Sequence, residues 1–527
     1  MAMNVNSIVV LGGGSAGWMT AATLIKHFPN KKISVIESAD VPTVGVGEST
    51  LGQINEWLYT LDINDDDFMK ATDASLKLSI KFTDWTGKGE GGFHYPFGKP
   101  WLAGTRFGLN DWFVKKVKYP GTPNTDFVDC YFPQMPLVYQ NKVTKNLDQE
   151  LPGWKYQSDV AYHFDATKFG AWLRENYCKP RGVTHIVGTV NEDVATDDNG
   201  VSYLELTTGE KITADLYIDC TGWKGLLINK ALKVPFESYA DILPNNRAWA
   251  TRLPYTDKEA ELEGYTDCTA IENGWVWNIP LWSRIGTGYV YSDKYISEAD
   301  ALEQFKNYLK NERAVKVDPA VVDSLEYKSI GMRIGIQEEL FHKNVCAIGL
   351  AAGFIEPLES NGLLSVHEFL QALVKTLSRD KLGWLDRAGF NMACRGYMRS
   401  FAEFVSMHYL LSQRDDTQYW RDARERTFKT NHVAGEYLNY GFEQFIYKRN
   451  VNSGFDTSMG GAPYIAVGMN CYPFYENNLK MGQYDTGDDL EHLNDTFDIW
   501  EANKTYWNNV AENCPTIYQY LKEKYGE

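Results

Sequence analysis

The sequence predicts an α/β protein in which a nucleotide-binding module with a mixed sheet is joined to a helix-rich module. Three observations support this fold class. A glycine-rich turn at residues 12–17 lies between a strand-like and a helix-like run. Further strand-like runs recur as far as residue 353. After residue 362 the apolar spacing is helical almost throughout, up to about residue 430.

The order of these patterns also predicts the domain organisation. We expect the nucleotide-binding module to cover residues 1–370, with substrate-site segments inserted at about 60–160 and 230–330. A helix-rich C-terminal module, residues 371–527, is expected to pack on it.

Each element rests on a local pattern. Residues 7–11 (SIVVL) predict a buried strand, residues 18–27 a helix and residues 33–37 (ISVIE) a second strand, which together form a β-α-β unit. The remaining predictions, in chain order, are a glycine turn and helix at 44–58, a loop at 86–98, a helix and then a strand within 158–190, a hairpin and third strand at 201–222, strands at 275–292, a buried strand at 344–353, a loop at 452–463 and helix over the last 35 residues.

Composition and charge exclude several classes of protein. The 527 residues are 44% hydrophobic and 23% charged, close to the globular average, which excludes a disordered or fibrous chain. A formal net charge of −17, without any run of Lys or Arg, argues against nucleic acid and anionic membranes as partners. No apolar stretch approaches the roughly 18 residues of a membrane span. The N-terminus lacks the basic region of a signal peptide, and we expect it to open a domain.

The cysteines predict the compartment. Eight cysteines are spread along the chain without a CxxC pair, so neither a disulfide framework nor a zinc site is expected. Buried thiols in a reducing compartment, the cytoplasm, are the expectation.

The glycine turn is a dinucleotide-binding fingerprint. In Gly12-x-Gly14-x-x-Gly17 the first glycine permits the tight turn, the second lets the backbone approach a pyrophosphate, and the third allows close helix packing. Glu37 ends the second strand 20 residues after Gly17, where an acid can bind ribose hydroxyls. A carboxylate at this position disfavours a cofactor that carries a 2′-phosphate on its ribose, but it does not distinguish NAD from FAD. The alternative is a glycine turn that merely packs.

The fingerprint occurs once. Residues 219–225 and 349–353 also follow strands, but neither repeats the glycine spacing. The absence of a second nucleotide site hints at a flavin that is reduced elsewhere, although some flavin hydroxylases bind NADPH without a second fingerprint.

A second candidate site is the segment from Glu356 to Gly362, which lies between a buried strand and a long helix. Backbone N–H groups at a helix start can hold an anion, and two carboxylates within four residues could act as a base or as hydrogen-bond acceptors. The alternative is that both acids only complement the helix dipole.

Two strand-like segments add candidate residues. Lys77 in LKLSIKF could be a donor or a nucleophilic amine in an enclosed site, whereas a solvated alternating strand is the alternative. On a strand, Trp275 and Trp277 would point to the same side and form an aromatic wall. The alternative interpretation is that they belong to an ordinary packed sheet face.

Together these segments resemble the flavin-dependent tryptophan halogenase family over most of the chain. The matching motifs are GGGSAGW (12–18) for the FAD fingerprint, VGVGEST (44–50) for the flavin-contacting strap, the lysine of LKLSIKF, the WxWxIP motif at 275–280, the EPLES segment at 356–362 and the long helix FAEFVSMHYLLSQRDDTQYW (401–420). WxWxIP is the discriminating element, because related single-component flavin monooxygenases lack it.

The resemblance implies a glutathione-reductase-type FAD module and a halogenating activity. Reduced FAD from a separate reductase, oxygen and a halide ion would give hypohalous acid, which passes through a tunnel beside Trp275 and Trp277 to an aromatic substrate. Lys77 would hold or activate this electrophile, and Glu359 would orient it or take the substrate proton. The resemblance implies neither a metal nor a membrane partner, and it allows a homodimer.

The remaining site residues also come from the resemblance. The cofactor-binding set is Gly12, Gly14, Ser15, Ala16, Gly17, Glu37, Val46, Gly47, Thr50, Val190, Leu350 and Leu363. The halide is expected at the backbone amides of Asn361 and Gly362, and Tyr95, Phe97, Trp275, Trp277 and Ser360 line the substrate site or tunnel.

Two departures from the family pattern concern specificity. Asn361 stands where threonine is usual beside the halide, and Tyr95 occupies the histidine position of the HxF segment that grips the indole ring. Free tryptophan is therefore one candidate among electron-rich indoles, phenols and pyrroles. The alternative functions are a single-component FAD-dependent aromatic hydroxylase and a non-catalytic flavoprotein.

Overall fold

A computed structural model describes residues 3–39, 48–106, 108–430, 461–471 and 487–527. The chain divides into two compact units, each assembled from three separate segments. Unit 1 comprises Met1–Ser75, Tyr162–Arg252 and Tyr327–Ala402, and unit 2 comprises Leu76–Ala161, Leu253–Glu326 and Glu403–Glu527. The predicted boundary at residue 370 stays a prediction.

The described residues contain short strands. In chain order these are β1 Ser7–Leu11, β2 Lys32–Glu37, β3 Glu48–Ser49, β4 Ser75–Lys77, β5 Ser79–Thr83, β6 Gly92–Pro96, β7 Ala161–Phe164, β8 Thr184–Val187, β9 Ala195–Asp197, β10 Gly200–Glu205, β11 Lys211–Ile212, β12 Leu216–Asp219, β13 Phe236–Ser238, β14 Arg247–Leu253, β15 Tyr265–Ile271, β16 Gly274–Pro280, β17 Ile285–Tyr291, β18 Lys328–Gly331, β19 Gly335–Gln337, β20 Phe341–His342, β21 Val345–Ala347 and β22 Gly353–Phe354.

The α-helices of the described residues range from one turn to 28 residues. They are α1 Ser15–His27, α2 Ile54–Thr60, α3 Asp65–Phe68, α4 Asn110–Lys118, α5 Asp126–Tyr131, α6 Met135–Tyr139, α7 Tyr156–Asp159, α8 Ala166–Trp172, α9 Lys258–Glu261, α10 Glu298–Asn307, α11 Pro319–Ser324, α12 Asn361–Leu377, α13 Trp384–Leu411, α14 Gln418–Thr430, α15 Ala462–Gly468, α16 Gly487–Glu512 and α17 Ile517–Tyr525. None of these helices is long and apolar enough to cross a membrane.

Unit 1 is built on a six-stranded sheet in the order β20-β21-β12-β1-β2-β8. All its pairs are parallel except that between β20 and β21. The central strand β1 pairs on both sides, with Val10 opposite Ile218 and Val35, and these apolar side chains are completely buried. Because parallel sheets are covered on both faces, the strands read as continuous apolar runs. The predicted α/β class with a Rossmann-like module is confirmed.

Unit 2 contains the strand order β17-β16-β15-β5-β6, in which only β15 and β5 run parallel. Gly274 opens β16 with φ +157°, and a Cβ there would lie 1.9 Å from the carbonyl oxygen of Val290, so this position requires glycine. Every residue of β16 and β17 is buried, which places the predicted Trp275 wall inside the unit.

One predicted loop is partly a strand. The glycine-rich stretch 86–98 was expected to be irregular, but β6 occupies Gly92–Pro96 and pairs antiparallel with β5. The glycines at positions 87, 89, 91, 92 and 98 give the segment the composition of a loop, but residues 93–96, between the last two, are mostly buried. The composition of the loop therefore concealed a short strand beside Lys77.

Candidate functional site

The fingerprint turn leaves no space for side chains. Gly12 has φ +117°, and a Cβ on it would lie 2.3 Å from the carbonyl oxygen of Cys220. A Cβ on Gly17 would lie 1.9 Å from the carbonyl oxygen of Gly12. Gly14 takes an extended conformation and precedes α1, so the helix starts within the fingerprint, three residues before the predicted Trp18. The close approach of bare backbone to a helix N-terminus fits the pyrophosphate of a dinucleotide.

Ser15 and Ala16, at the start of α1, connect the fingerprint turn with other segments of unit 1, and the predicted Val190 has a separate contact. Ser15 Oγ donates to the carbonyl of Ala166 at 3.0 Å. Ala16 Cβ lies only 2.7 Å from where a Cβ on Gly349 would stand, which brings the turn containing Leu350 against the fingerprint. Val190 is buried and forms an isolated bridge with Leu206.

Glu37 is held by two residues that sequence reasoning missed. Its Oε2 atom accepts from Arg174 Nη1 at 3.1 Å and pairs with His185 Nε2 at 2.9 Å. Its Oε1 atom lies 2.6 Å from the position of a Cβ on Gly13. The carboxylate is therefore fixed over the glycine turn, in a position to accept a hydrogen bond from a ribose hydroxyl. No sequence signal connects Glu37 with partners more than 130 residues away.

The predicted strap is described in part. Val46 and Gly47 lie outside the described residues. The Thr50 hydroxyl donates to the carbonyl of Tyr162 at 2.8 Å and accepts from its N–H at 2.9 Å, so it joins two backbone segments. Glu48, half-buried beside it, was not predicted. Burial and the nearby Asp165 carboxylate raise the pKa of Glu48 to about 7.

The predicted anion site lies at the start of α12, a helix of 17 residues. Ser360 precedes it with φ 56°, and its hydroxyl donates to Ser49 Oγ at 3.0 Å. A Cβ on Gly362 would lie 3.7 Å from Glu48 Oε2. Asn361 is 4% exposed, and its Oδ1 has no hydrogen-bond partner among the described residues. The free backbone amides of a first helical turn are thus bordered by small residues and one carboxyl group.

Both acids of the EPLES segment are buried, in contrast to ordinary helix-dipole acids. Glu356 Oε2 accepts from Asn245 Nδ2 at 2.8 Å, which gives this carboxylate a structural contact. Glu359 is 1% exposed and ends the short helical turn that precedes α12. Leu363, predicted to contact the cofactor, is buried on α12 two residues beyond Asn361.

In unit 2, Lys77 is completely buried, so the solvated-strand interpretation is wrong for this residue. Its ammonium nitrogen lies 5.0 Å from the centroid of the Phe97 ring, within the range of a cation–π interaction. Lys81, on the same segment, is only half-buried. A buried amine beside an aromatic face is costly unless its surroundings compensate the charge, which is typical of functional sites.

Tyr95 lies on β6 under helix α15. A Cβ on Gly461, just before that helix, would come within 2.7 Å of both the Tyr95 hydroxyl and the Phe404 ring. The Tyr95 and Tyr464 rings stack at 6.0 Å with an angle of 19°. Sequence reasoning missed Tyr464, because this part of the chain carries no pattern that connects it with β6.

The two tryptophans of β16 contact each other as predicted. Their ring centroids are 6.3 Å apart at an angle of 60°, and both side chains are buried. Trp277 Nε1 has no hydrogen-bond partner among the described residues. The same-face geometry of the pair follows from the two-residue period of a strand.

Comparison with known proteins gives one family. The family model described as tryptophan halogenase matches residues 7–448. The tryptophan 6-halogenase SttH of Streptomyces toxytricini is 36% identical over 439 residues, which cover 80% of this chain and 82% of that protein. The tryptophan 7-halogenase RebH of Lentzea aerocolonigenes is 29% identical over 553 residues, covering both chains completely.

Solved structures agree with this result. The apo structure of VirX1 is similar with a TM-score of 0.87 and 34% identity, covering 99% of this chain and 100% of that chain. The crystal structure of SttH is similar with a TM-score of 0.84 and 31% identity, covering 98% of this chain and 99% of that chain.

Proposed function

This chain belongs to the tryptophan halogenase family and is a flavin-dependent halogenase, and we propose which of its residues hold the cofactor and halide and which act on the substrate. The residues proposed for FAD and halide belong to unit 1, whereas Lys77, Tyr95 and Phe97 belong to unit 2. FAD and a halide ion are the cofactor and co-substrate that the family uses, and an electron-rich aromatic molecule is the substrate.

The fingerprint of unit 1 fits FAD. The turn at Gly12 and Gly17 is a cradle that any Cβ would fill, and the N-terminus of α1 faces the same place. Glu37, fixed by Arg174 and His185, would bind the adenosine ribose. Reduced FAD, when bound, supplies the oxygen chemistry that converts halide to hypohalous acid. We propose that a separate flavin reductase provides the reduced FAD, because the chain carries one dinucleotide fingerprint. We propose the cytoplasm as the compartment, since the cysteines are dilute and without a CxxC pair.

The start of α12 is the proposed halide site. The backbone N–H groups of Asn361 and Gly362 can donate hydrogen bonds to a spherical anion, so that binding needs no positively charged side chain. Glu359, buried immediately before this turn, is proposed to orient the electrophile or take the proton that the aromatic ring loses.

The observation that carries the proposal is the complete burial of Lys77 against Phe97. A lysine that only supported a strand would keep its ammonium group in water, since burying it costs several kcal/mol. Placed in an aromatic environment, the side chain can donate a hydrogen bond to hypohalous acid. In its neutral form the amine can instead attack the halogen, so that the oxygen–halogen bond breaks, water leaves with the amine proton and a haloamine forms. Either route restrains the electrophile near the substrate.

We propose an electron-rich indole, phenol or pyrrole as the substrate, and free tryptophan is one candidate among these. Tyr95 occupies the position where a histidine of the family pattern contacts the indole, and it stacks on Tyr464. An aromatic ring in this place would meet a flat wall with hydroxyl groups.

Turnover with defined components tests the proposal. Purified protein, FAD, NADH and an unrelated flavin reductase should halogenate members of an aromatic panel with chloride, bromide or iodide, detected by product mass. Without the reductase, neither NADH nor NADPH should be consumed at the rate of turnover. Rapid NADPH consumption by this chain alone, coupled to a hydroxylated product, would instead support a single-component hydroxylase. Bromide-soaked crystals should also show anomalous density at Asn361 and Gly362, and density only at surface lysines would contradict the halide site.

A further inference from the structure

Gln134 has a buried side-chain amide whose oxygen accepts no hydrogen bond from the described residues. Gln134 is 1% exposed and immediately precedes α6. Its Nε2 atom donates to the backbone carbonyl of Phe97. A carbonyl oxygen only accepts, so the amide nitrogen must face it and the amide oxygen must point elsewhere. That Oε1 atom has no hydrogen-bond partner among the described residues.

This amide lies beside the proposed reactive centre. Phe97 is the residue whose ring faces the Lys77 ammonium at 5.0 Å, and its carbonyl holds the Gln134 side chain. Gln134 is therefore separated from Lys77 by a single residue in contact with both.

Tyr464 has a second buried polar group without a described partner. The side chain is 4% exposed, and its hydroxyl has no hydrogen-bond partner among the described residues. Its ring stacks on Tyr95 and packs edge-on against Phe132 at 5.2 Å, and Phe132 is two residues before Gln134. The amide and the hydroxyl are thus connected through Phe132. We refer to these residues together as the aromatic cluster: Tyr95, Phe97, Phe132, Gln134 and Tyr464.

Such groups are expensive to leave unsatisfied. Each buried polar atom without a partner costs about 1–3 kcal/mol, and most proteins avoid this. A ligand that brings the missing partner recovers that energy on binding. The amide oxygen can only accept, and the phenol hydroxyl can donate or accept. Both groups are neutral, so they suit a neutral N–H or O–H donor.

We propose that Gln134 and Tyr464 recognise the N–H or O–H group of the aromatic substrate, which is therefore an unsubstituted indole, pyrrole or phenol. The aromatic members of the cluster provide the stacking surface, and Gln134 Oε1 accepts from the substrate donor. This inference rests on the proposed function, because it assigns the substrate of the same Lys77 site.

Matched ligand pairs test the recognition directly. Binding of indole against 1-methylindole, and of phenol against anisole, is measured by calorimetry without flavin, halide or oxygen. In each pair a methyl group replaces the hydrogen of the donor, and the comparison with Gln134→Leu separates the lost hydrogen bond from the added volume. The wild-type protein should bind the donor-bearing member about 10- to 100-fold more tightly in at least one pair, as expected for one buried hydrogen bond. In Gln134→Leu this ratio should fall to about one, and in Tyr464→Phe it should decrease.

Gln140→Leu is the matched control, because Gln140 is only half-buried and its amide nitrogen donates to Asn508 Oδ1 at 2.8 Å. It should keep the wild-type ratio. A ratio within one variant does not depend on how stable that variant is, so a modest loss of stability does not obscure the result.

An unchanged ratio in Gln134→Leu, equal binding of both members of each pair by the wild type, or no binding of any probe would overturn the inference. The proposed function fails by a different result, namely the absence of halogenated product in the reconstituted reaction. The two failures are therefore distinguishable.

Discussion

Glu48 should make halide binding depend on pH. Its carboxyl group lies beside Gly362, at one end of the proposed halide site, and its pKa is raised to about 7. Below that pH the folded protein holds Glu48 neutral, and a halide meets no repulsion from this side chain. Above it the carboxylate forms and repels the anion. Halide affinity should therefore be high below pH 7 and fall as the pH rises through 7.

The size of this effect follows from the geometry. Two unit charges about 5 Å apart repel by about 3 kcal/mol at an effective dielectric constant of about 20. Glu48 is only half-buried, so solvent screening reduces the repulsion to roughly 1.4–2.8 kcal/mol, or about 10- to 100-fold in bromide affinity. Glu48→Gln keeps the shape and removes the charge.

The assay is the bromide dependence of halogenation between pH 6 and pH 8.5, in chloride-free buffers with saturating reduced flavin. The apparent bromide affinity of the wild type should fall across this range, whereas that of Glu48→Gln should stay constant. Glu56→Gln, a change at an exposed glutamate of the same unit, should behave like the wild type. Parallel pH profiles in the wild type and Glu48→Gln would refute the reasoning.

Two further predictions test the cofactor turn and the buried core. Gly12→Ala should weaken FAD binding by at least about 10-fold, measured by equilibrium dialysis, because its Cβ would lie 2.3 Å from a carbonyl oxygen at φ +117°, whereas Gly121→Ala, which meets nothing within 4 Å, should bind normally. Burial lowers the pKa of His367 to about 3, so the unfolded chain takes up a proton that the folded chain refuses as the pH falls below 6.5. Between pH 7.5 and pH 5 this should cost the wild type about 2 kcal/mol that His367→Asn does not lose, as urea unfolding at both pH values would show, and an equal loss in both proteins would contradict the shift.

Local patterns were enough to predict the nucleotide-binding half of the fold. The strand of residues 7–11 and the glycine turn depend on contacts within the β-α-β unit, and the structure confirms both. The segment 86–98 was harder, because its five glycines conceal the short strand β6. Only its pairing with β5 reveals it.

The parts of the site that sequence could not supply depend on contacts between distant segments. Lys77 lies on β4, whose residues are all buried, so its strand is packed on both faces, whereas the alternation of LKLSIKF is equally typical of a solvated face. Arg174 and His185 reach Glu37 from another part of unit 1. Gln134 stands in a segment without any motif, and its role depends on one hydrogen bond to Phe97.

The most direct test of the central claim is product formation by Lys77→Met, which removes the amine and keeps most of the buried side-chain volume. Lys81→Met, on the half-buried lysine of the same segment, is its matched control. Both variants should bind FAD and oxidise reduced FAD at the wild-type rate, because neither residue belongs to the fingerprint. Lys81→Met should halogenate normally, while Lys77→Met should form product at least about 100-fold more slowly, as expected for loss of a group that acts on the reacting species. Normal product yield from Lys77→Met would contradict the account.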